Sequence, residues 1–253
     1  MKIFQEFFFG LGAYGKAFSF SNRHRMWGYY AIPAVLNLLL LGAVGWLAWE
    51  YTADLSHFLS EWFGVGRAEG RWAQALEFFV LAVVRLSTLF FFLKIYKYLM
   101  LALLSPAFSF IGGKVQDLLH GTEAPFSWRQ LLSDMARGMA VAARSLFWEL
   151  LLTGLLVALS FIPVLAPFTA LLLVLLEWYF LGLSMADVRH EYKRLNARDA
   201  LRVSRRRKGL VLGIGAGMYL FLLVPLLGVL LAPIFGMVAA GIAFYELEDA
   251  RPL

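Results

Sequence analysis

The chain has 253 residues, 61% hydrophobic and 16% charged, with a net charge of +6 and a mean hydropathy of +0.71. Soluble domains run nearer 45–50% apolar and about 25% charged, so composition excludes an ordinary soluble protein and predicts one all-α integral membrane domain over 1–253. Continuous apolar runs exclude the alternating strands of a barrel, and the absence of cysteine excludes disulfides and thiolate metal sites.

Residues 3–20 place Phe4, Phe7, Phe8, Leu11, Tyr14 and Phe18 at helical spacing. This predicts an interfacial amphipathic helix within 1–27, with Lys2, Glu6 and Lys16 near water. Glu6 interrupts the early apolar run and no small-residue cleavage site follows, so no signal peptide is expected. Gly10, Gly12 and Gly15 count against the helix on propensity. After the polar turn Ser21-Asn22-Arg23-His24-Arg25, residues 28–51 form the first long transmembrane helix, with Tyr29, Tyr30, Trp46, Trp49 and Tyr51 at its ends. Five acids and only Arg67 and Arg71 fall in 50–77, against four Lys/Arg in 1–27 and nine in 187–208. By the positive-inside rule both termini and the late basic loop are cytoplasmic.

The second long helix covers about 75–104 and carries Arg85, Lys94 and Lys97. Ser105-Pro106 ends it and opens a cytoplasmic helix that stops at Gly121. Ser127-Trp128-Arg129-Gln130 has the form of a capping box, so a further helix starts there, still cytoplasmic within 105–144. Two apolar runs follow, 145–186 and 209–245, each broken by two prolines: Pro163 and Pro167, then Pro225 and Pro233. Proline removes an N–H and clashes with the preceding turn, so each run breaks near its prolines into two helices. In the second run the pieces 209–224 and 234–245 fall short of the ~20 residues that a crossing needs. Both runs read as re-entrant hairpins that turn inside the bilayer. The other reading is four short transmembrane helices with proline at their turns, and charge asymmetry does not separate the two.

Buried cations are the first functional candidates. Arg85 lies some eight residues into its span, where an ionisable group is costly and rarely faces lipid; pairing with Glu77 is the structural reading. Lys94 and Lys97 read as cytoplasmic-end anchors or pore residues. Glu149 and Glu177 flank the first hairpin, where pairing with a neighbour such as Arg144 outweighs a proton relay. The run Arg205-Arg206-Arg207-Lys208 before an apolar segment fixes orientation rather than binding nucleic acid. His24, His57, His120 and His190 lack metal-ligand spacing, so no metal or other cofactor is expected. Gly213-x-Gly215-x-Gly217 sits in an apolar run with no preceding strand, which points to close helix contact rather than a nucleotide loop. No nucleophile–base pairing stands out, and an enzyme is not expected.

The order of these elements resembles the CysZ-type sulfate permeases and the related etoposide-induced membrane proteins. The closest local matches are Ser160-Phe161-Ile162-Pro163 and the stretch from Val224-Pro225 through Gly228 to Ala232-Pro233, followed by Ala239-Ala240. The resemblance implies hairpins that enter the bilayer without crossing it, homo-oligomers, contact with membrane lipid, and passage of sulfate across a bacterial inner membrane. It also implies an anion site at the turn before the first long helix, here Asn22, Arg23, His24 and Arg25. That turn keeps the family's cations but not its Gly-Leu-Arg order. Pro163, Pro225, Gly228 and Pro233 join Arg85, Lys94 and Lys97 as pore candidates. A non-transporting scaffold of the same family is the alternative.

Overall fold

A computed structural model describes residues 3–62, 71–121, 128–224 and 227–249. They form α1 (Ile3–Arg23), α2 (Trp27–Trp62), α3 (Arg71–Leu103), α4 (Ser105–His120), α5 (Trp128–Ser160), α6 (Ala166–Tyr192), α7 (Ala197–Arg206), α8 (Lys208–Leu222) and α9 (Leu227–Phe244), followed by the π-helical turn Tyr245–Asp249. No strand occurs among the described residues. Among the described residues four stretches are long and apolar enough to cross a membrane: Trp27–Leu47, Ala136–Ser160, Ala166–Tyr192 and Leu227–Glu248.

The chain divides into two compact units, one of Met1–Asn37 with Leu101–Leu253 and one of Leu38–Met100. In the smaller unit Lys94 and Lys97 are buried, and the Lys97 ammonium stands 4.7 Å from the centre of the Tyr98 ring.

The larger unit is built around α8, which lies between α1 and α6. Glycine is what lets three backbones meet. A Cβ added at Gly213 would strike the Phe7 carbonyl of α1, and one at Gly215 would strike the Trp178 carbonyl of α6. Gly182 answers from α6 against the Val211 carbonyl, and Gly10 from α1 against Leu210. The glycines that weaken α1 as an isolated helix thus include one that seats it, because tertiary contact outweighs about 1 kcal/mol of propensity. The buried face of α1 is Glu6, Gly10, Ala13, Tyr14, Ala17 and Ser21, while Phe4, Phe8 and Phe18 are exposed. The Tyr14 hydroxyl donates to the Ile214 carbonyl at 2.7 Å, and burial pushes its pKa up.

Several local expectations are met by the chain and others are corrected. α4 opens with proline in its first turn and ends at Gly121 in the left-handed conformation, φ 67°. Ser127 lies outside the described residues, and α5 begins at Trp128. Glu6 is not near water: it is 4% exposed and accepts from Arg207 at 2.8 Å. Lys16 is exposed and pairs with Glu246. The basic loop holds a helix of its own, α7, whose Asn196 side chain accepts from the backbone N–H groups of Arg198 and Asp199.

The arms of the first hairpin are 33 and 27 residues long because α5 and α6 continue past their terminal charges instead of stopping at them. Phe161–Leu165 forms the turn, and Pro167 is accommodated in the first turn of α6. In the second hairpin Pro233 does not break the chain; it lies inside α9. Proline at 233 has no N–H for the carbonyl four residues back, that of Val229. The Asn37 side-chain amide donates to that same carbonyl at 2.9 Å. Asn37 is 1% exposed, so a long-range side chain replaces the missing helical bond in the interior.

Candidate anion site

The turn between α1 and α2 is held from both sides. Met26 N–H reaches back to Ser21 O at 2.9 Å and Arg25 N–H to Asn22 O at 3.3 Å, with Arg25 at φ 53° between them. This is the two-bond stop of a helix that normally places glycine at the left-handed residue. Met26 is fully buried beneath it. The Ser21 hydroxyl donates to Ala17 O at 2.7 Å and lies 2.7 Å from the Tyr30 hydroxyl, and Trp27 Nε1 donates to Asn22 Oδ1 at 2.7 Å. Trp27, Tyr30 and Phe18 all meet the ring of Phe235 on α9. An anchored frame therefore presents Asn22, Arg23, His24 and Arg25 to the outside, all four exposed. His24 lies tilted against Phe20, at 4.4 Å between ring centroids. Arg23 and Arg25 have no ion-pair partner among the described residues, and both precede the positive end of α2. Two free guanidinium groups beside a helix start can attract and hydrogen-bond an oxyanion.

The other residues proposed from sequence are scattered. Arg85 lies on α3, with its side chain outside the described residues, as is Pro225. Lys94 and Lys97 belong to the separate unit described above. Pro163 is exposed in the α5–α6 turn. Gly228 is buried where a Cβ would meet the Phe221 carbonyl, so close approach of α9 to the end of α8 explains that glycine. Pro233 is buried two residues from Phe235, which ties α9 to the turn.

A polar layer between α4, α5 and α6 escaped the sequence reading. Arg137 donates to Asp187 at 3.0 Å and lies 3.5 Å from Glu191, which also accepts from Ser109. A cavity of about 40 Å³ opens among Ser105, Ser109, Gly138, Ser184, Asp187 and Glu191. It has room for one or two waters, and Ser105 Oγ faces it without a hydrogen-bond partner. Two carboxylates make it unfit for an anion. Further along α6, Arg189 pairs with Glu248 at 3.1 Å over the Phe244 ring, and Tyr192 donates to Asp117 at 2.9 Å. The i,i+4 pair Asp187 and Glu191 was the available signal, since both acids lie on one helix face.

The model of the family described as sulfate transporter CysZ/etoposide-induced protein 2.4 matches residues 13–233. The chain belongs to this family. Proteins called sulfate transporter CysZ are similar to it. One from Pseudomonas fluorescens strain Pf-5 is 30% identical over 146 residues, 57% of this chain and 58% of that protein. Another, from P. fluorescens strain Pf0-1, is 27% identical over 224 residues, 86% of this chain and 84% of that protein. A third, from P. syringae pv. tomato, is 30% identical over 155 residues, 59% of this chain and 60% of that protein. The chain thus spans less than two thirds of the first relative's length. The family match runs from Ala13 through the α1–α2 turn to Pro233, so it covers Asn22, Arg23, His24 and Arg25.

Proposed function

We propose that the protein passes sulfate or a similar oxyanion across a bacterial inner membrane into the cytoplasm, as a homo-oligomeric channel or permease. The observation that carries this is membership in a family whose similar relatives are named as sulfate transporters. The turn supports it from the chemical side, because Arg23 and Arg25 stand exposed and unpaired on an anchored frame beside a helix start. In this reading both arginines gather the anion at the cytoplasmic mouth. Arg85, Lys94 and Lys97 are pore candidates, as are the backbone groups near Pro163, Pro225, Gly228 and Pro233.

The second hairpin then turns inside the bilayer. α8 has 15 residues, about 22 Å at 1.5 Å per residue against a hydrocarbon core of about 30 Å. The chain has no cysteine, so single cysteines at Leu227 and Phe161 report the two turns separately. An impermeant thiol reagent added outside should leave Leu227→Cys unlabelled; labelling there means a full crossing.

Sulfate entry into vesicles holding the purified protein tests the function itself. Protein-loaded vesicles should fill faster than empty ones. Equal rates, together with recovery of a stable partner protein from the membrane, support the scaffold reading instead.

A further inference from the structure

The segment between α6 and α8 carries a cationic feature that the anion turn does not use. Residues 193–208 hold eight Lys/Arg and one acid, Asp199. α7 sorts these charges onto faces. Its inner side buries Ala200 and Ser204, with Ser204 Oγ 3.0 Å from His190 Nε2, and Arg207 just beyond turns inward to Glu6. At 100° per residue Arg198, Arg202 and Arg205 fall within about 60° of one another on the opposite side, with Arg206 at its edge. Arg202 is held by Asp199 at 3.0 Å. Arg198, Arg205 and Arg206 are exposed and have no ion-pair partner among the described residues. At the head of the segment Arg194 adopts φ 53°, with Leu195 N–H bonded to His190 O and Arg194 N–H to Glu191 O. Glycine fits that left-handed position without strain, so the arginine keeps a further exposed cation here at a backbone cost.

Position determines what this face meets. α6 is apolar and long enough to cross a membrane and ends at Tyr192, and the apolar α8 begins at Lys208. A 10-residue helix tied between them stays close to the headgroup layer. We propose that the arginine face of α7 docks on anionic phospholipid headgroups of the leaflet beside it. The face is open and runs about 12 Å from Arg198 to Arg206, which suits several phosphates in a plane. A single small anion calls instead for donors converging on one point. Orientation by positive charge needs only the number of cations in the loop, not their gathering on one outer face.

The test uses the full chain in detergent, where membrane orientation plays no part. Native mass spectrometry titrates it with phosphatidylglycerol and phosphatidylcholine. Phosphatidylglycerol should bind at least ~10-fold more tightly, and R198Q/R205Q/R206Q should lower that affinity by about 100-fold, near fivefold per charge. The R198K/R205K/R206K variant should stay within about threefold of the wild type. If the glutamine triple fails to fold, R198Q and R205Q singly should each cost about fivefold. Equal retention of the two lipids, or an unchanged glutamine variant with native circular dichroism, overturns the proposal. So does displacement of phosphatidylglycerol by millimolar inorganic sulfate, which marks a small-anion site. None of these readouts depends on sulfate transport.

Discussion

In the α5–α6 hairpin 22% and 28% of the residues in the most apolar stretches are buried, whereas in α9 the share is 78%. Both hairpins come from charge-poor runs interrupted by two prolines, so their sequences look like variants of one device. The difference lies in what faces each helix. Phe147, Leu151, Leu155, Phe168 and Leu171 project outward from the first pair, as lipid-facing side chains do. The second pair is the interior of its unit, where glycines let neighbouring backbones approach and large apolar side chains such as Ile214, Met218 and Phe235 are buried. Apolarity marks a segment as leaving water, and side-chain size decides whether it meets lipid or another backbone.

The sharpest way to break this contrast is to put side chains where backbones touch. Gly215→Leu should force α8 away from Trp178 and destabilise the fold by about 3 kcal/mol or more, read as lost expression or a lowered Tm in detergent. Gly154→Ala in α5 meets open space and should stabilise by about 0.5–1 kcal/mol. Equal effects at the two glycines would remove the distinction between the hairpins.

A smaller effect probes how α9 tolerates its proline. Asn37→Leu should leave the Val229 carbonyl unpaired and cost about 1–3 kcal/mol. In a Pro233→Ala background the helical N–H returns to that carbonyl, and the same substitution should cost less than ~1 kcal/mol. Additive losses in the thermal unfolding of the double variant would contradict the link. The pair Glu6–Arg207 fastens α1 to the start of α8, and Glu6→Gln or Arg207→Gln should each cost about 1–3 kcal/mol. The double variant should recover part of that loss.

Arg25→Gly should have the smallest effect on stability. Glycine relieves the left-handed position by up to about 1 kcal/mol, so Tm should hold or rise while the cation is lost. A marked fall in Tm would mean that the arginine braces the turn.

What could be read from the sequence was whatever is decided locally. Ser105-Pro106 and Gly121 mark the two ends of α4 within one turn of themselves, and the spacing of Gly213, Gly215 and Gly217 signals close helix contact. What could not be read depends on distant partners. Pro233 looks like a helix breaker until Asn37, 192 positions from Val229, bonds the carbonyl that the proline leaves open. Glu6 looks solvated until Arg207, 201 positions away, meets it. At the α1–α2 turn Arg23 and Arg25 were visible as cations before a long helix. The left-handed Arg25 was not, because glycine is the residue that announces that conformation.

Oxyanion passage through the turn is tested most directly by radiolabelled sulfate uptake into vesicles bearing the wild type, Arg25→Gly and Arg23→Gln/Arg25→Gly. Uptake should exceed that of empty vesicles for the wild type, be at least ~10-fold less for Arg25→Gly, and fall to background for the double variant, with Tm held or raised in both variants. Uptake by the double variant equal to the wild type, or no uptake by the wild type, would contradict it.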